Sequence, residues 1–246
     1  MNDGMFEDFE KKLEADINNI PESEKVIDDI KEREWRWKQK RIGKITSSNL
    51  DSLMSLKKNG KMSEKGINYL LEIIHQRQTG CDSEEINAKA FDWGHSHEEE
   101  ALEYYNRIMG VHVTSGTSGF DEIIFKEPLE GFGDSPDGIT EDGEGIVEIK
   151  CPINGANHLK MFAIEEYHDG LDYFWQCIGH MIDPKVKWVD LVFFDPRYKD
   201  EDHFKMRVFH IEKKKVQSCV DSAISHIKYW NELMNENDII KFLEEI

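Results

Sequence analysis

Four short segments between Val111 and Lys150 are rich in β-forming residues and are separated by Gly, Pro and Asp-Gly, which are typical of turns between strands. The predicted strands are Val111 to Thr117, Glu122 to Phe125, Gly131 to Asp134 and Ile146 to Lys150. Two further strands are predicted after them, Lys187 to Asp195 and His203 to Ile211. Helical spacing elsewhere predicts helices flanking a central mixed β-sheet in one α/β domain.

The spacing of apolar residues predicts helices on both sides of these strands. Ser48 and Ser63 stand where an N-cap is expected, and Gly110 where a long helix should end. The predicted helices are Pro21 to Lys40, Ser48 to Leu56, Ser63 to Gln78, Ser83 to Met109, His158 to Tyr167, Asp172 to Ile182 and Glu212 to Asn235.

The chain of 246 residues carries a net charge of -19, from 50 acidic and 31 basic residues. Its hydrophobic fraction of 39% is enough for a buried core. The charge excludes a protein that coats nucleic acid through bulk positive charge, because such a surface would repel the phosphates. Any contact with DNA therefore has to be local.

The sign of the charge changes at Lys31. Residues 1–30 hold ten acids and three lysines, whereas residues 31–48 hold seven Lys or Arg and two Glu. The helical spacing of Phe6, Phe9, Leu13 and Ile17 predicts an amphipathic helix in the first segment. We therefore predict an acidic helical extension over residues 1–30 and a single domain over residues 31–246.

No run approaches the roughly 18 apolar residues of a membrane span, and residues 1–20 lack the pattern of a signal peptide. A cytoplasmic protein with no membrane partner is therefore expected. The cysteines lie far apart with no CxxC pair, which disfavours a zinc site, an iron–sulfur cluster and a disulfide framework. They are Cys81, Cys151, Cys177 and Cys219.

Acidic and basic residues alternate with apolar ones in the segment from Ile146 to Lys150. Because successive side chains of a strand point to opposite faces, Glu148 and Lys150 should project together. If this strand pairs with a strand that ends near Asp137, both carboxylates and the ammonium group converge. Two adjacent carboxylates repel each other unless a cation lies between them, and hard oxygen ligands suit Mg²⁺ or Mn²⁺.

Each of these elements alone is more simply explained as a turn or as the solvated face of an edge strand. Together, Pro136-Asp137 followed by Glu148-x-Lys150 resembles the active site of the PD-(D/E)xK nuclease superfamily. With the adjacent Cys151-Pro152, the pattern resembles the lambda exonuclease family, also called YqaJ-like viral recombinases.

Three more motifs are similar to that family, in the same order along the chain. The segment from Trp37 to Ser48 resembles the family motif in which an Arg and a Ser hold a 5′-phosphate; the matching residues are Arg41 and Ser48. The alternative explanation of this segment is a capped helix behind a basic surface. The family has a helix that supplies another acidic residue, and it resembles the segment Trp93-Gly-His-Ser-His-Glu98. Glu98 lies on the same helical stripe as the apolar Ala101, Leu102 and Tyr105, so it should face inward. The alternative is that Glu98 is a surface residue at the margin of this stripe.

The last of these motifs begins at Tyr173. Tyr173-Phe-Trp-Gln176 resembles a helix that places a Gln beside the catalytic centre. Alone, the aromatic segments Tyr173 to Trp175 and Val192 to Phe194 are better explained as core packing than as surfaces for base stacking. The two imidazoles of His95 and His97 do not share a helix face, so a zinc pair is not expected there.

The resemblance implies a restriction-endonuclease-like core and a set of roles. Asp137, Glu148 and the carbonyl of Ile149 would hold Mg²⁺, or Mn²⁺, and Glu98 would help to bind a second ion. Lys150 would orient the attacking water, with Gln176 nearby. Arg41, Ser48 and Ser135 would receive the 5′-phosphate.

The substrate implied by the resemblance is linear double-stranded DNA, degraded 5′ to 3′ so that 3′ single-stranded tails remain for phage-type recombination. The family also implies a homotrimeric ring, a single-strand annealing protein as partner, and a phage or prophage origin in a bacterial host. Two alternatives stay open. One is an endonuclease or a CRISPR-associated-type processing nuclease, although the latter usually carries a four-cysteine iron–sulfur cluster; the other is a catalytically silent DNA-end-binding module.

Overall fold

The computed structural model describes residues 22–57, 61–82, 88–117 and 123–235. The predicted helix around Phe6 to Ile17 lies outside these ranges. The helices are α1 Glu22–Arg41, α2 Leu50–Met54, α3 Glu64–Thr79, α4 Ala88–Met109, α5 Gly155–Lys160, α6 Phe174–His180 and α7 Gln217–Asn235. The strands are β1 Ile45–Thr46, β2 Val113–Ser115, β3 Lys126–Leu129, β4 Phe132–Asp134, β5 Gly138–Thr140, β6 Gly145–Lys150, β7 Trp188–Phe194 and β8 Met206–Glu212.

The strands of the described residues form two sheets, where one was predicted. The larger has the order β2-β5-β6-β7-β8 and is mixed, because β6 runs parallel to β7 and antiparallel to β5. The smaller has the order β1-β4-β3. The predicted mixed sheet with flanking helices is thus confirmed for the five-stranded sheet, and the segment from Gly131 to Asp134 belongs to the other one.

Strand β6 is buried on both faces although it carries Glu148, and only Lys150 at its end is half-buried. Ile146 packs into a core with α2, α3, α6 and α7, whereas Val147 and Ile149 pack into a second core against α4. The alternation of side chains therefore places Glu148 and Lys150 on the α6 side of the sheet.

Two predicted helix boundaries are confirmed in detail. The Ser63 hydroxyl accepts a hydrogen bond from the Gly66 N–H at 3.1 Å and so caps α3. Gly110 follows the end of α4 with a φ of 65°, a left-handed conformation that favours glycine.

The predicted cap at Ser48 is wrong. Residues Ser47–Asn49 form a 3-10 turn, and α2 begins only at Leu50 and ends at Met54 instead of Leu56. The Ser48 hydroxyl lies instead 3.3 Å from that of Thr46 and accepts a hydrogen bond from Arg41. Local hydroxyl contacts replace the capping geometry here.

Three other segments differ from their predictions. Residues Ile123 to Phe125 are not in a strand, and the pairing begins at Lys126 instead. The predicted helix from His158 to Tyr167 is α5 followed by the 3-10 turn Met161–Ala163, because the Asn154 side chain caps an earlier start. The last helix begins at Gln217, after the 3-10 turn Lys213–Lys215.

Candidate active site

All nine predicted site residues line one cavity of about 600 Å³. They are Arg41, Ser48, Glu98, Ser135, Asp137, Glu148, Ile149, Lys150 and Gln176. The cavity lies where the ends of β4, β5 and β6 meet α1, α4 and α6. Residues predicted from four separate motifs are therefore brought together at one place.

The β5–β6 hairpin places Asp137 beside Glu148. Strand β5 begins directly after Asp137 and pairs antiparallel with β6, Gly138 opposite Val147. The Ile149 N–H donates to Asp137 Oδ2 at 2.7 Å. The predicted convergence occurs, but through a strand that starts after Asp137 rather than one that ends near it.

Gly116 holds the backbone of this turn from the other side. Its N–H donates to the Asp137 carbonyl at 2.8 Å, and a Cβ at this position would lie 2.0 Å from the Pro136 carbonyl oxygen. Only glycine permits so close an approach of two backbones.

Glu148 is buried and is held at both carboxylate oxygens. Lys150 Nζ and Gln176 Nε2 donate to Oε1 at 2.6 and 2.5 Å, and His180 Nε2 lies 2.9 Å from Oε2. Burial works to raise the pKa of Glu148, but the nearby charges of Lys150 and His180 lower it to about 2. Glu148 is therefore an anion that is fixed in place at neutral pH.

Lys150 is correspondingly held as a cation. Burial alone would lower its pKa, but the carboxylates of Glu148 and Asp137 raise it above the usual range. The Lys150 ammonium lies 4.8 Å from the centre of the Tyr173 ring, which adds a cation–π contact.

Asp137 is electrostatically the opposite of Glu148. Its pKa is raised well above the ordinary value by burial and by the negative charges of Glu148 and Glu98, and Lys150 offsets this only in part. Negative charge is thus in excess at this end of the cavity, which a bound cation would relieve.

Glu98 faces inward, as the stripe on α4 predicts. Ala101, Leu102 and Tyr105 on the same stripe are buried, and Glu98 is half-buried, whereas the neighbouring Glu99 is exposed. Glu98 lines the cavity and is close enough to Asp137 to raise its pKa.

His180 is a site residue that the sequence prediction missed. Its ring is fully buried, with Nδ1 2.7 Å from Asp134 Oδ1 and Nε2 2.9 Å from Glu148 Oε2. Burial would lower the pKa of His180, but the Asp134 and Glu148 carboxylates raise it to about 10. The one sequence signal was its position four residues after Gln176, on the same face of α6.

Arg41, Ser48, Ser135 and Trp37 also line this cavity, and we call these four residues the basic wall. Arg41 donates to the Ser48 hydroxyl at 3.2 Å, and its guanidinium carbon lies 4.4 Å from the centre of the Trp37 ring. The Trp37 indole donates to the Ser135 hydroxyl at 2.8 Å. Trp37, which had no predicted role, thus joins the arginine to the second serine.

The interpretation of Tyr173 to Trp175 as core packing is wrong for Tyr173 but confirmed for Phe174, which is buried, and for Trp175, which packs against the core. The same interpretation of Val192 to Phe194 is confirmed. Tyr173 is 41% exposed and lines the cavity. Its φ of 67° is left-handed, the only such value at a non-glycine residue in the described ranges. Backbone strain of this kind concentrates at functional sites.

The donor set fits a hard divalent cation. Asp137, Glu148, Glu98 and the Ile149 carbonyl are oxygen donors, as Mg²⁺ and Mn²⁺ prefer, and the raised pKa of Asp137 marks the excess charge that a cation would offset. Within the described ranges, no three His, Cys, Asp or Glu side chains are already spaced as a ligand set.

Comparison with known proteins agrees with this geometry. The model of the YqaJ-like viral recombinase domain matches residues 36–182, and the chain belongs to this family. An alkaline exonuclease from Laribacter hongkongensis, LHK-Exo, is 27% identical with a TM-score of 0.68, over 85% of this chain and 95% of that one. A comparison with curated proteins found no match.

Two further solved structures are similar. LHK-Exo in complex with dAMP is 24% identical with a TM-score of 0.63, over 84% of this chain and 97% of that one. A phage-related exonuclease from Haemophilus somnus 129PT is 17% identical with a TM-score of 0.57, over 78% and 96%, which shows a shared fold. The predicted family and α/β fold are therefore confirmed, and the chain is a nuclease of this family.

Proposed function

We propose that this protein is a metal-dependent exonuclease that degrades one strand of linear double-stranded DNA from 5′ to 3′ and leaves 3′ single-stranded tails for phage-type recombination. The observation that carries the proposal is that the carboxylate and lysine cluster and the basic wall line the same cavity. A bound 5′ end would then lie beside the groups that cut it.

The carboxylate side supplies the groups for phosphodiester hydrolysis. Bound at Asp137, Glu148 and the Ile149 carbonyl, Mg²⁺ or Mn²⁺ would stabilise negative charge on the phosphoryl group and lower the pKa of a water. Glu98 would help to hold a second ion. The Lys150 ammonium, fixed by Glu148 and Tyr173, would orient the attacking water and favour its deprotonated form.

The basic wall supplies the groups for recognising a 5′-phosphate. The Arg41 guanidinium offers a planar fork of donors that matches phosphate oxygens, and Ser48 and Ser135 offer hydroxyl donors. Because these groups would hold the terminal phosphate, hydrolysis would begin at the 5′ end of the strand.

We also propose a homotrimeric ring, in which the basic segment from Lys31 to Lys44 lines a channel and the acidic surfaces face outward. This arrangement would reconcile a net charge of -19 with DNA binding. A single-strand annealing protein as partner, and a phage or prophage origin, extend the same proposal. Multi-angle light scattering at physiological salt is expected to give three times the mass of one chain, and a monomer would contradict the ring.

The function is tested with linear, nicked and circular duplexes, each with and without a 5′-phosphate, in Mg²⁺ and in EDTA. We expect digestion of the linear duplex alone, in Mg²⁺, and a complete loss of digestion in Asp137→Ala. Cleavage of the circular duplex would indicate an endonuclease, whereas end binding without cleavage would indicate a silent module.

A further inference from the structure

Asp134, His180 and Glu148 form a hydrogen-bonded bridge between the two sheets. Asp134 ends β4 of the three-stranded sheet, Glu148 lies in β6 of the five-stranded sheet, and His180 is the last residue of α6. The two hydrogen bonds measure 2.7 and 2.9 Å, and none of the three side chains is more than 2% exposed.

The bridge fixes the orientation of the Glu148 carboxylate. The two ring nitrogens of His180 lie on opposite edges of a rigid plane, so the ring cannot turn without breaking both hydrogen bonds. With Oε2 held by His180, Oε1 is directed towards Lys150 and Gln176 at the cavity. Carboxylates that bind metals are typically oriented by such outer partners.

Packing holds His180 itself in place. The preceding residue, Gly179, lies so close to Ser47 that an added Cβ would be 2.7 Å from the Ser47 Cβ. At the other end of the bridge, Asp134 Oδ2 is buried with no hydrogen-bond partner in the described part of the chain. A buried unpaired oxygen costs free energy, so stability alone does not account for an acid at this position.

We propose that His180 is a positioning residue, which fixes the Glu148 carboxylate for the divalent cation and is itself anchored by Asp134 on the second sheet. This inference rests on the proposed function, since it assigns a partner to one of the proposed metal ligands. His180 contacts neither the cation nor the DNA and acts through Glu148.

The test measures binding of Mn²⁺ alone to the full chain, by electron paramagnetic resonance without DNA, together with kcat and KM on a linear duplex. Removal of such an outer partner typically weakens metal binding by about 10- to 100-fold. We expect His180→Ala to weaken Mn²⁺ binding by that factor and to lower kcat with little change in KM. His180→Gln keeps one N–H donor for Glu148 and should recover part of the loss.

His210→Ala is the matched control, because it removes an Asp–His contact of 2.5 Å to Asp190 on the same sheet but outside the cavity. It should bind Mn²⁺ as the unchanged protein does. If His180→Ala does not fold, His180→Gln and Asp134→Asn are measured in its place. Both are expected to lose Mn²⁺ affinity, by a smaller factor than the one predicted for His180→Ala.

Unchanged Mn²⁺ affinity in the folded His180 and Asp134 variants would overturn the inference, even if the protein digests DNA normally. A protein that binds Mn²⁺, loses affinity in these variants and yet cuts no DNA would support the inference and contradict the proposed function. The two failures are therefore distinguishable.

Discussion

The carboxylate side and the basic wall of the cavity are built differently. Glu148 is buried, as are Gln176 and His180, which are both hydrogen-bonded to it. The other charged and hydroxyl groups of the two sides, Arg41 and Ser135 among them, are half-buried or exposed. The difference suits two tasks. Groups that stabilise a reacting phosphoryl group work best when they are held in advance in a low-dielectric setting, whereas groups that capture an end have to remain open to the ligand.

Two carboxylates of the carboxylate side, Glu148 and Asp137, also differ from each other in how well their charge is compensated. Glu148 is paired, so its pKa is lowered to about 2, whereas the pKa of Asp137 is raised by burial and by Glu148 and Glu98. One acid is thus part of a rigid framework, and the other is left with excess negative charge. A substitution on each side should therefore change a different measurable quantity.

After the complete loss in Asp137→Ala, the largest effect is expected on the carboxylate side, from Lys150→Ala. Loss of a fixed cation beside the reacting group should lower kcat by about 10²- to 10³-fold, with little change in end binding. Rapid-quench digestion of a 5′-labelled linear duplex measures this. Lys187→Ala, which removes the pair with Glu144 near the opposite end of β6, is the control and should keep full activity. Equal activity in the two variants would remove the assigned role of Lys150.

On the basic wall, Arg41→Ala should lower kcat/KM for phosphorylated ends by about 10- to 100-fold, since charged hydrogen bonds contribute roughly 1.5–3 kcal/mol. Arg41→Ala should digest ends without a phosphate at nearly the same rate as the unchanged protein does. Arg41→Lys keeps the charge but loses the planar fork, so its kcat/KM for phosphorylated ends should lie between those of the unchanged protein and Arg41→Ala. Arg107→Ala, at the exposed pair with Asp200, serves as control. An undiminished preference for phosphate in Arg41→Ala would contradict the role of this wall.

Tyr173 lines the cavity and contacts Lys150, and its substitution separates the effect of backbone strain from the effect on activity. Tyr173→Gly should relieve about 1 kcal/mol of backbone strain, so that Tm does not fall, and should lower kcat by about 10-fold because Lys150 loses its aromatic contact. Tyr173→Phe keeps the ring and should keep the activity. A glycine variant with full kcat would show that the ring does not position Lys150.

The smallest effect is on stability, from Asp137→Asn in EDTA at pH 8. A raised pKa means that the ionised form of Asp137 opposes folding above that pKa, so the neutral amide should stabilise the fold. A gain of about 1 kcal/mol corresponds to a rise in Tm of roughly 2–4 °C for a chain of this size. Differential scanning calorimetry measures it, and the gain should shrink as the pH falls and Asp137 itself becomes protonated. A lower Tm would mean that no excess charge exists there.

Local pattern predicted the placement of three site residues, and the resemblance of the motifs to the family predicted the others. The two-residue period of β6 placed Glu148 beside Lys150, and the stripe on α4 turned Glu98 inward. The polar bridge was not predictable, because Asp134 reaches His180 from a different sheet, and nothing near either residue in sequence indicates that pairing. Ser48 was placed in the cavity but misread as a cap, since the 3-10 turn depends on its contacts with Thr46 and Arg41.

The central claim is that one cavity joins recognition of a 5′ end to hydrolysis. The most direct measurement follows both strands of a linear duplex that carries a 5′-phosphate on one strand only, in Mg²⁺, with a label at each 3′ end. We predict that the phosphorylated strand shortens from its 5′ end while its complement stays at full length. Equal loss of both strands, or shortening that begins at the 3′ ends, would contradict the account.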